Sequence, residues 1–216
     1  MNLLDFIFPK RCVGCGKIGK YFCAACRANI RVIKPNEPIC PMCGRPALDG
    51  ATHPICRTRY SLDGLTSFFH YDGPVRKAIK AIKYRLVSDL AEEFVNLVSV
   101  RDFDDCILIP IPLHPSRFRQ RGFNQAEVLG SILAKRLNVA VRTDILRRVK
   151  ETEPQVSIKK RADRLENMKN IFSCKNITGN ILLFDDVCTT GATMRSAATV
   201  LKRAGATCVW AVSMAR

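Results

Sequence analysis

The sequence predicts an α/β protein with a mostly parallel sheet, helices on both faces and a small cysteine-rich module at its N-terminus. Two features carry this prediction. Seven of the 11 cysteines fall at or before Cys56, in a stretch whose prolines argue against long helices. From about residue 61, short apolar runs alternate with amphipathic ones, as strands and helices do in parallel α/β sheets. We therefore expect two domains, residues 1–60 and residues 61–216.

The composition is that of an ordinary globular chain with a strong positive charge. It has 216 residues, of which 47% are hydrophobic and 25% charged, and a formal net charge of +16. Apolar runs stay well below the roughly 18 residues of a membrane span. The opening MNLLDFIFPK is short for a signal peptide and is interrupted by Asp5, so we expect a cytoplasmic protein. The charge favours nucleic acid or phosphorylated small molecules as partners, although a solvated basic surface would also account for it.

The first four cysteines have the spacing of a complete zinc ribbon. They form the pairs CVGC and CAAC, and two intervening residues allow one tight turn to aim both thiolates at a tetrahedral Zn²⁺. Clustered cysteines in a chain without a secretion signal favour metal over disulfides. A module of about 60 residues has too small a core to fold unaided, so bound metal would stabilise it. The predicted ligands are Cys12, Cys15, Cys23 and Cys26.

The later cysteines form an incomplete second set. Cys40 and Cys43 make a third pair, CPMC, and Cys56 follows, but Arg59 stands where a fourth cysteine would complete the pattern. His53 is a candidate for the missing ligand, and the alternative is an ordinary surface histidine. Spacing alone does not decide which pairs share an ion, so an interleaved pairing also fits.

The first elements of the larger domain follow from apolar patterning and from prolines. We expect them in this order: strand 65–71, helix 73–84, helix 88–100 and strand 106–112. Pro74 suits the first turn of the first helix, and Ser88 is a suitable N-cap for the second, which has an apolar stripe on one face. The fully apolar run that follows is closed by Pro110 and Pro112.

The later elements have clearer end signals. We expect helix 124–137, strand 181–184, helix 193–204 and strand 207–215. Asn124 and Glu127 occupy the two positions of a capping box, and Gly205 ends the last helix. Ligands in parallel sheets bind beyond the carboxyl ends of the strands, which directs attention to residues 111–125 and 185–193.

The strongest chemical signal is ILLFDDVCTTGAT, residues 181–193. Two aspartates leave the predicted strand together, and adjacent carboxylates favour hydroxyl donors or a cation between them and a ligand. The TTGAT loop precedes a helix, so its N–H groups, its hydroxyls and the positive helix end form a cradle for one phosphate. A sugar phosphate satisfies both halves. A solvated turn would explain each half, but not their position between a buried strand and a helix.

The same stretch closely resembles the phosphoribosyl pyrophosphate (PRPP) signature of type I phosphoribosyltransferases. The whole chain resembles the ComF family, through its cysteine pairs, RGFNQAE in the middle and DDVCTTGAT near the end. This resemblance implies a type I phosphoribosyltransferase fold with an N-terminal zinc ribbon. It also implies a role in natural competence, where family members support uptake of transforming DNA, with single-stranded DNA or competence proteins as partners.

The resemblance assigns roles to several residues. Asp185 and Asp186 would contact the ribose 2′- and 3′-hydroxyls, with Mg²⁺ nearby. Lys83 matches a family position expected to face pyrophosphate, although sequence logic alone makes it a helix-surface lysine. The residues expected to bind PRPP through the phosphate loop are Val187, Thr189, Thr190, Gly191, Ala192 and Thr193.

The run IPLHPSRFRQRGFNQ resembles the pyrophosphate-side loop of the family. Its arginines alternate at Arg117, Arg119 and Arg121. In an extended loop they would share one face and meet a polyanion, and a basic surface loop is the alternative. The implied reaction is displacement at the anomeric carbon, with these arginines and Mg²⁺ stabilising the departing pyrophosphate. Asp185, Asp186 and Arg121 are therefore the candidate catalytic residues.

The stretch from Arg142 to Arg164 contains eight Lys/Arg and four acidic residues, with no clear apolar period. A second resemblance covers ETEPQVSIKKRADRLENMKNIF, residues 151–172. It resembles the family's Gln…Arg…Asn segment through Gln155, Arg164 and Asn167. In related transferases a mobile loop closes over the substrates. We predict that this segment is that loop, and a solvated connection is the alternative.

Two functions compete on this evidence. The first is a Mg²⁺-dependent phosphoribosyltransferase with an unknown acceptor. Purine-salvage relatives carry an aspartate base where this chain has Thr189, so no general base is predicted at that position. The second is a nucleic-acid-binding adaptor in DNA uptake, with a regulatory or vestigial PRPP site. The ribbon offers few aromatic residues for base stacking, Tyr21 and Phe22 among them, which weakens a dedicated single-strand platform.

Overall fold

The computed structural model describes residues 9–84, 88–99, 103, 105–150 and 171–216. The cysteine-rich module contains little regular structure, as its prolines predict. Within residues 9–60 it has one short helix, α1 (Ala24–Ala28), and two 3-10 turns, Leu48–Gly50 and Pro54–Cys56. A single antiparallel bridge flanks each of two CxxC turns. Arg11 pairs with Ile18 around CVGC, and Ile39 pairs with Pro46 around CPMC.

The centre of the molecule is a parallel sheet, as predicted. The strands among the described residues are β1 (Gly64–Phe69), β2 (Cys106–Pro110), β3 (Ala140–Val141), β4 (Leu146–Arg148), β5 (Phe172–Cys174), β6 (Asn180–Val187) and β7 (Cys208–Ala215). The sheet has the order β1-β7-β6-β2-β3, and every pairing in it is parallel. A separate antiparallel ribbon of β4 and β5 was not predicted.

Helices follow most strands. They are α2 (Gly73–Tyr84), α3 (Ser88–Val95), α4 (Pro115–Arg121), α5 (Gln125–Leu137) and α6 (Ala192–Arg203). Helix α3 ends earlier than predicted because its last hydrogen bonds tighten to a three-residue spacing, from Leu97 N–H to the Phe94 carbonyl and from Val98 N–H to the Val95 carbonyl. In the part of the chain that the structure describes, no helix has the length and apolar character to cross a bilayer.

The sheet separates two apolar cores because side chains alternate along each strand. Leu182 and Phe184 of β6 pack with helices α2, α3 and α5 on one face. Ile181 and Leu183 pack with α6 and the β4–β5 ribbon on the other. The predicted coverage of both faces is confirmed. This burial holds the carboxyl ends of β1, β2, β6 and β7 at one edge of the sheet.

Helix α5 is fixed against that edge by its N-cap. Asn124 Oδ1 accepts a hydrogen bond from the Ala126 N–H at 3.2 Å, and its Nδ2 donates to the Ile111 carbonyl at 3.1 Å. Asn124 is itself buried. The predicted cap therefore also anchors the helix to the chain leaving β2.

The cysteine-rich module packs into the same core as the helices. The ring of Phe22 lies 5.8 Å from that of Phe94, which lies 5.6 Å from Phe69 on β1. Antiparallel bridges join Val32 to Phe69 and Ala51 to Gly64 along the outer edge of β1. The predicted division at residue 60 stays a prediction, but the two regions share apolar contacts.

Candidate functional site

Strand β6 carries both aspartates to the carboxyl edge of the sheet. It continues to Val187, so the expectation that Asp185 and Asp186 leave the strand is wrong. The reason is the register with β7, where Asp185 pairs with Ser213 and Val187 with Ala215. Because residues alternate along a strand, the two Cβ atoms point to opposite faces of the sheet.

Asp185 lies in an environment that disfavours its charge. Burial, followed by the charge and hydrogen bonding of the neighbouring Asp186 carboxyl, raises the pKa of Asp185 well above its ordinary value of 3.8. Its Oδ1 accepts a hydrogen bond from the Asp186 N–H at 2.9 Å, and the positive charge of Arg148 on β4 partly opposes the rise in pKa. A carboxyl held in this way is stabilised by any ligand that brings hydroxyl donors or a cation.

Sequence analysis missed two neighbours of this carboxyl pair. Arg148 carries no local signal, because it reaches Asp185 only through packing of the β4–β5 ribbon. Tyr71 follows the end of β1, and its N–H donates to the Arg216 carbonyl at 2.8 Å. Burial, and then the nearby Asp186, raise the pKa of the Tyr71 phenol. The rule that ligands bind at the carboxyl ends of strands would have identified Tyr71 as the last residue of LTSFFHY.

The loop after β6 has the form that a phosphate cradle requires. Thr189 and Thr190 are exposed, whereas Cys188 and Gly191 are buried. Gly191 has a φ of 69° and is the N-cap of α6, a conformation that other residues rarely adopt. Thr190 Oγ1 accepts a hydrogen bond from the Ala192 N–H at 3.4 Å. The first N–H groups of an α-helix have no partner within the helix, so those that follow Ala192 in the first turn of α6 could bind an anion.

The three arginines expected in an extended loop lie on helix α4, and that expectation is wrong. His114 begins the helix: its Nδ1 accepts a hydrogen bond from the Ser116 N–H at 3.3 Å, and a proline occupies the first helical position. In a helix, residues four apart share a face and residues two apart do not. Arg117 and Arg121 therefore lie on one side of α4 and Arg119 on the other.

Arg121 links α4 to the end of α2. Its Nη1 donates to Gln125 Oε1 at 3.0 Å, and its guanidinium carbon lies 6.0 Å from the centre of the Tyr84 ring. Lys83 precedes Tyr84 at the C-terminus of α2. The structure therefore places the end of α2, with Lys83, beside Arg121.

The predicted closing loop lies largely outside the described residues. Gln155, Arg164 and Asn167 are among those not described, so the role assigned to 151–172 stays a prediction. Phe172, the last residue of this segment, lies on β5 and pairs with Arg148 on β4.

The first cysteine set is brought together by two turns and a short helix. Its four sulfur atoms lie within 4.8 Å of one another, with Cys15 Sγ and Cys23 Sγ 3.7 Å apart. A Cβ at Gly14 would lie 2.5 Å from Cys26 Sγ, so this turn requires glycine for the close approach. Four thiolates at this spacing form the donor set of a structural zinc site. The members are Cys12, Cys15, Cys23 and Cys26.

The second set contains three cysteines and one histidine. The ligand atoms of Cys40, Cys43, His53 and Cys56 also lie within 4.8 Å of one another. His53 Nδ1 is 3.4 Å from Cys43 Sγ, and Nε2 is 2.9 Å from the Pro46 carbonyl. A carbonyl can only accept, so Nε2 carries the proton and Nδ1 keeps its lone pair for a metal. The two sets are sequential along the chain and are not interleaved.

One thiol in each set has a lowered pKa. Burial alone would raise the pKa of Cys12, but hydrogen bonds from the N–H groups of Cys23, Cys15 and Gly14 outweigh it and lower the value to about 6. The same balance of burial and hydrogen bonding lowers the pKa of Cys40 to about 7.

A hydrogen bond with Cys12 raises the pKa of Cys26 to about 12. Burial, followed by the contact with Cys43, raises the pKa of Cys56 to about 11. The thiols of each set therefore interact closely, as ligands of one ion do.

Comparison with known proteins agrees with this geometry. A double zinc ribbon domain model matches residues 3–58 and a phosphoribosyl transferase domain model matches residues 124–216. The chain is similar to competence protein ComFC of Bacillus subtilis, with 32% identity over 205 residues that cover 85% of this chain and 78% of that protein. The chain belongs to the ComF family.

Other relatives support this placement in the ComF family. Competence protein F of Haemophilus influenzae is 28% identical over 228 residues, covering 95% of this chain and 94% of that protein. DNA utilization protein YhgH of Escherichia coli K12 is 27% identical over 200 residues, covering 85% and 86%. With the parallel sheet, these matches confirm the predicted fold class, a phosphoribosyltransferase domain with an N-terminal zinc ribbon.

Proposed function

We propose that this ComF-family chain binds PRPP with Mg²⁺ and transfers its ribose 5-phosphate to an acceptor, as part of competence or DNA utilization. The names of its relatives support the biological role. The observation that carries the chemical proposal is the course of the chain at the sheet edge. Buried β6 leads through Asp185 and Asp186 into a short loop that ends at Gly191, the N-cap of α6.

The carboxyl pair suits Mg²⁺. Carboxylate oxygens are ligands that Mg²⁺ prefers, and the raised pKa of Asp185, caused first by burial and then by Asp186, marks a position where a cation is favourable. Bound Mg²⁺ would neutralise charge on the pyrophosphate. Asp185 and Asp186 themselves would orient the ribose through its 2′- and 3′-hydroxyls.

The transfer breaks the bond between the anomeric carbon and pyrophosphate and forms a bond to the acceptor. Arg121 would stabilise the leaving pyrophosphate, because a guanidinium presents paired donors to phosphate oxygens. Thr189 occupies the position of the aspartate base of purine-salvage enzymes, and a neutral hydroxyl is a poor proton acceptor. We therefore propose an acceptor that is nucleophilic without deprotonation by this residue.

Calorimetry with PRPP and Mg²⁺ tests the binding step. We expect the wild type to bind, and the double variant Asp185→Asn/Asp186→Asn to lose at least about tenfold in affinity, which is about 1.4 kcal/mol. Asp144→Asn is the matched control, because Asp144 pairs with Arg142 and Lys175 on an exposed surface. A wild type that binds no PRPP would contradict the proposal. Pyrophosphate release in the presence of candidate acceptors then tests transfer separately.

A second function, binding of single-stranded nucleic acid, is favoured by one surface. Tyr84 is 73% exposed and Phe118 is 46% exposed, at the basic ends of α2 and α4. Exposed aromatic rings among positive charges are typical of proteins that bind single strands. Binding of single-stranded DNA should weaken steeply as salt is raised.

The variant Tyr84→Ala/Phe118→Ala tests this second function in the full chain. Deletion of residues 1–60 is unsuitable because Phe22 packs into the main core. Loss of DNA binding with unchanged PRPP binding would support a separate DNA surface. Equal DNA binding by variant and wild type would contradict it.

A further inference from the structure

The phosphate loop and the second cysteine set share one arginine. Arg195 lies on the first turns of α6, and its Nη1 donates to the Thr190 carbonyl at 2.7 Å and to the Pro41 carbonyl at 3.0 Å. Pro41 stands between Cys40 and Cys43 in the CPMC turn. The same side chain therefore holds the backbone of the phosphate loop and the backbone of a metal-binding turn.

Packing supports this link between the loop and the turn. The position of a Cβ on Gly191 would lie 3.1 Å from Arg195 Nη1 and 3.6 Å from the Pro41 carbonyl oxygen. The Arg195 N–H also donates to the Gly191 carbonyl at 2.9 Å. Gly191 is buried, so its backbone lies against the CPMC turn with Arg195 between them.

The first cysteine set is attached by a similar contact in a different place. Lys77 Nζ donates to the Gly14 carbonyl at 2.6 Å, and Gly14 stands between Cys12 and Cys15. Lys77 lies on α2, which packs on the opposite face of the sheet from α6. The chain thus offers two side chains that each hold a carbonyl inside a CxxC turn, and Arg195 also holds the phosphate loop.

We propose that Arg195 is a positioning residue through which metal at the second cysteine set controls the affinity of the phosphate loop for PRPP. Metal bound to Cys40 and Cys43 fixes the CPMC turn and with it the Pro41 carbonyl. Arg195 then holds the Thr190 carbonyl in place, and the N–H groups of the loop keep the spacing that a phosphate needs. When the metal leaves, the loop loses this anchor. The choice of PRPP as the ligand of this loop rests on the proposed function.

Coupling between two sites is reciprocal. PRPP should therefore also raise the equilibrium affinity of the second set for zinc, measured by competition with a chelator, by the factor by which zinc improves PRPP binding. The first set, whose turn contacts Lys77, should have the same affinity for zinc with and without PRPP.

A double-mutant cycle tests the role of Arg195. We would measure PRPP affinity by calorimetry for the wild type, Arg195→Met, Cys43→Ser and the double variant, with zinc counted in each. Each single variant should weaken binding by about fivefold or more, the lower end of typical coupling between sites. The double variant should bind no more weakly than the single variants. Losses that multiply would show independent effects and overturn the proposal.

Two further variants separate positioning from general stability. Lys77→Met removes the corresponding contact at the first set and should leave PRPP affinity unchanged even where its melting temperature falls. Arg195→Lys should recover part of the affinity, since an ammonium group can donate to both carbonyls. Equal loss of PRPP affinity in Lys77→Met and Arg195→Met would overturn the proposal.

Hydrogen exchange provides a readout that needs no PRPP. Amides of residues 188–193 should exchange faster in Arg195→Met and in zinc-depleted wild type, and at the wild-type rate in Lys77→Met. If the wild type fails to bind PRPP, the proposed function falls, and the exchange data still decide on the coupling. Unchanged exchange in this loop after zinc removal would overturn the inference by itself.

Discussion

His53 Nδ1 lies 3.4 Å from Cys43 Sγ, and this contact supplies the fourth member of a set that three cysteines leave incomplete. The opposite ring nitrogen, Nε2, donates a hydrogen bond to the Pro46 carbonyl at 2.9 Å. This bond orients the imidazole toward the sulfur atoms. Outer partners of this kind are typical of histidines that bind metal.

Replacing His53 should therefore remove one zinc ion. We expect the wild type to hold zinc at both sets and His53→Ala to retain it at the first set alone, because three thiols hold the ion less tightly than four ligands. His53→Cys should restore the second ion. The measurement is zinc per chain in protein purified without chelators, and His70→Ala is the control because His70 pairs with Glu37 instead. An unchanged zinc content in His53→Ala would exclude His53 as a ligand.

In the absence of Mg²⁺, Asp185→Asn should raise the free energy of unfolding of the protein at neutral pH. Burial, and then Asp186, raise the pKa of Asp185 above 3.8 in the folded state, so the unfolded chain releases this proton at lower pH than the folded one. Stability therefore falls as pH rises from 3.8 to the raised pKa, and stays lower above it. Asparagine removes this cost and can still accept the Asp186 N–H bond.

Thermal unfolding across pH checks this prediction. The variant should melt a few degrees above the wild type at pH 7, where each kcal/mol corresponds to about 2–4 °C in a chain of this size. The difference should disappear below pH 3.8. Asp144→Asn should change in the opposite direction, because hydrogen bonds from Arg142 and Lys175 lower the pKa of Asp144. A lower melting temperature for Asp185→Asn at pH 7 would contradict the assignment.

The geometry of α4 predicts unequal roles for its arginines. Arg121 lies beside the end of α2, whereas Arg119 points from the other side of the helix. Arg121→Gln should weaken PRPP binding by about 10- to 150-fold, as expected for loss of a charge-assisted hydrogen bond of about 1.5–3 kcal/mol. Arg119→Gln should have little effect. Calorimetry measures the PRPP affinity of both variants. Equal losses of affinity would mean that the arginines contribute only through the overall positive charge of this surface.

Phe94 should be essential to the shared core. Its ring is fully buried and stacks on both Phe22 and Phe69. Phe94→Ala should lower the free energy of unfolding by about 3–5 kcal/mol, and Phe118→Ala, which alters a half-exposed ring, by about 0.5 kcal/mol or less. Denaturant unfolding followed by the fluorescence of Trp210 measures both. Equal stability of the two variants would mean that the cysteine-rich module does not depend on this contact.

Some of the site was open to prediction because its signals are local. The pattern of apolar runs predicted the parallel sheet, and CxxC spacing predicted turns that aim two thiols at one ion. Helix α4 was also predictable, since HPSR places a proline at the first helical position and Gly122 ends the helix with a φ of 77°. The alternation of Arg117, Arg119 and Arg121 favoured an extended loop, which is wrong because these end signals bound a seven-residue helix.

The sequence predicted most of the elements and the residue types at their ends: a strand that leads two carboxylates into a hydroxyl-rich loop before a helix, and two sets of soft ligands earlier in the chain. Tertiary structure alone decided which distant groups meet there. The unpredicted β4–β5 ribbon brings the charge of Arg148 near Asp185. Arg195 donates to the Pro41 carbonyl, 154 positions earlier in the chain. Such contacts depend on how the two faces of the sheet are packed, and no local pattern encodes that packing.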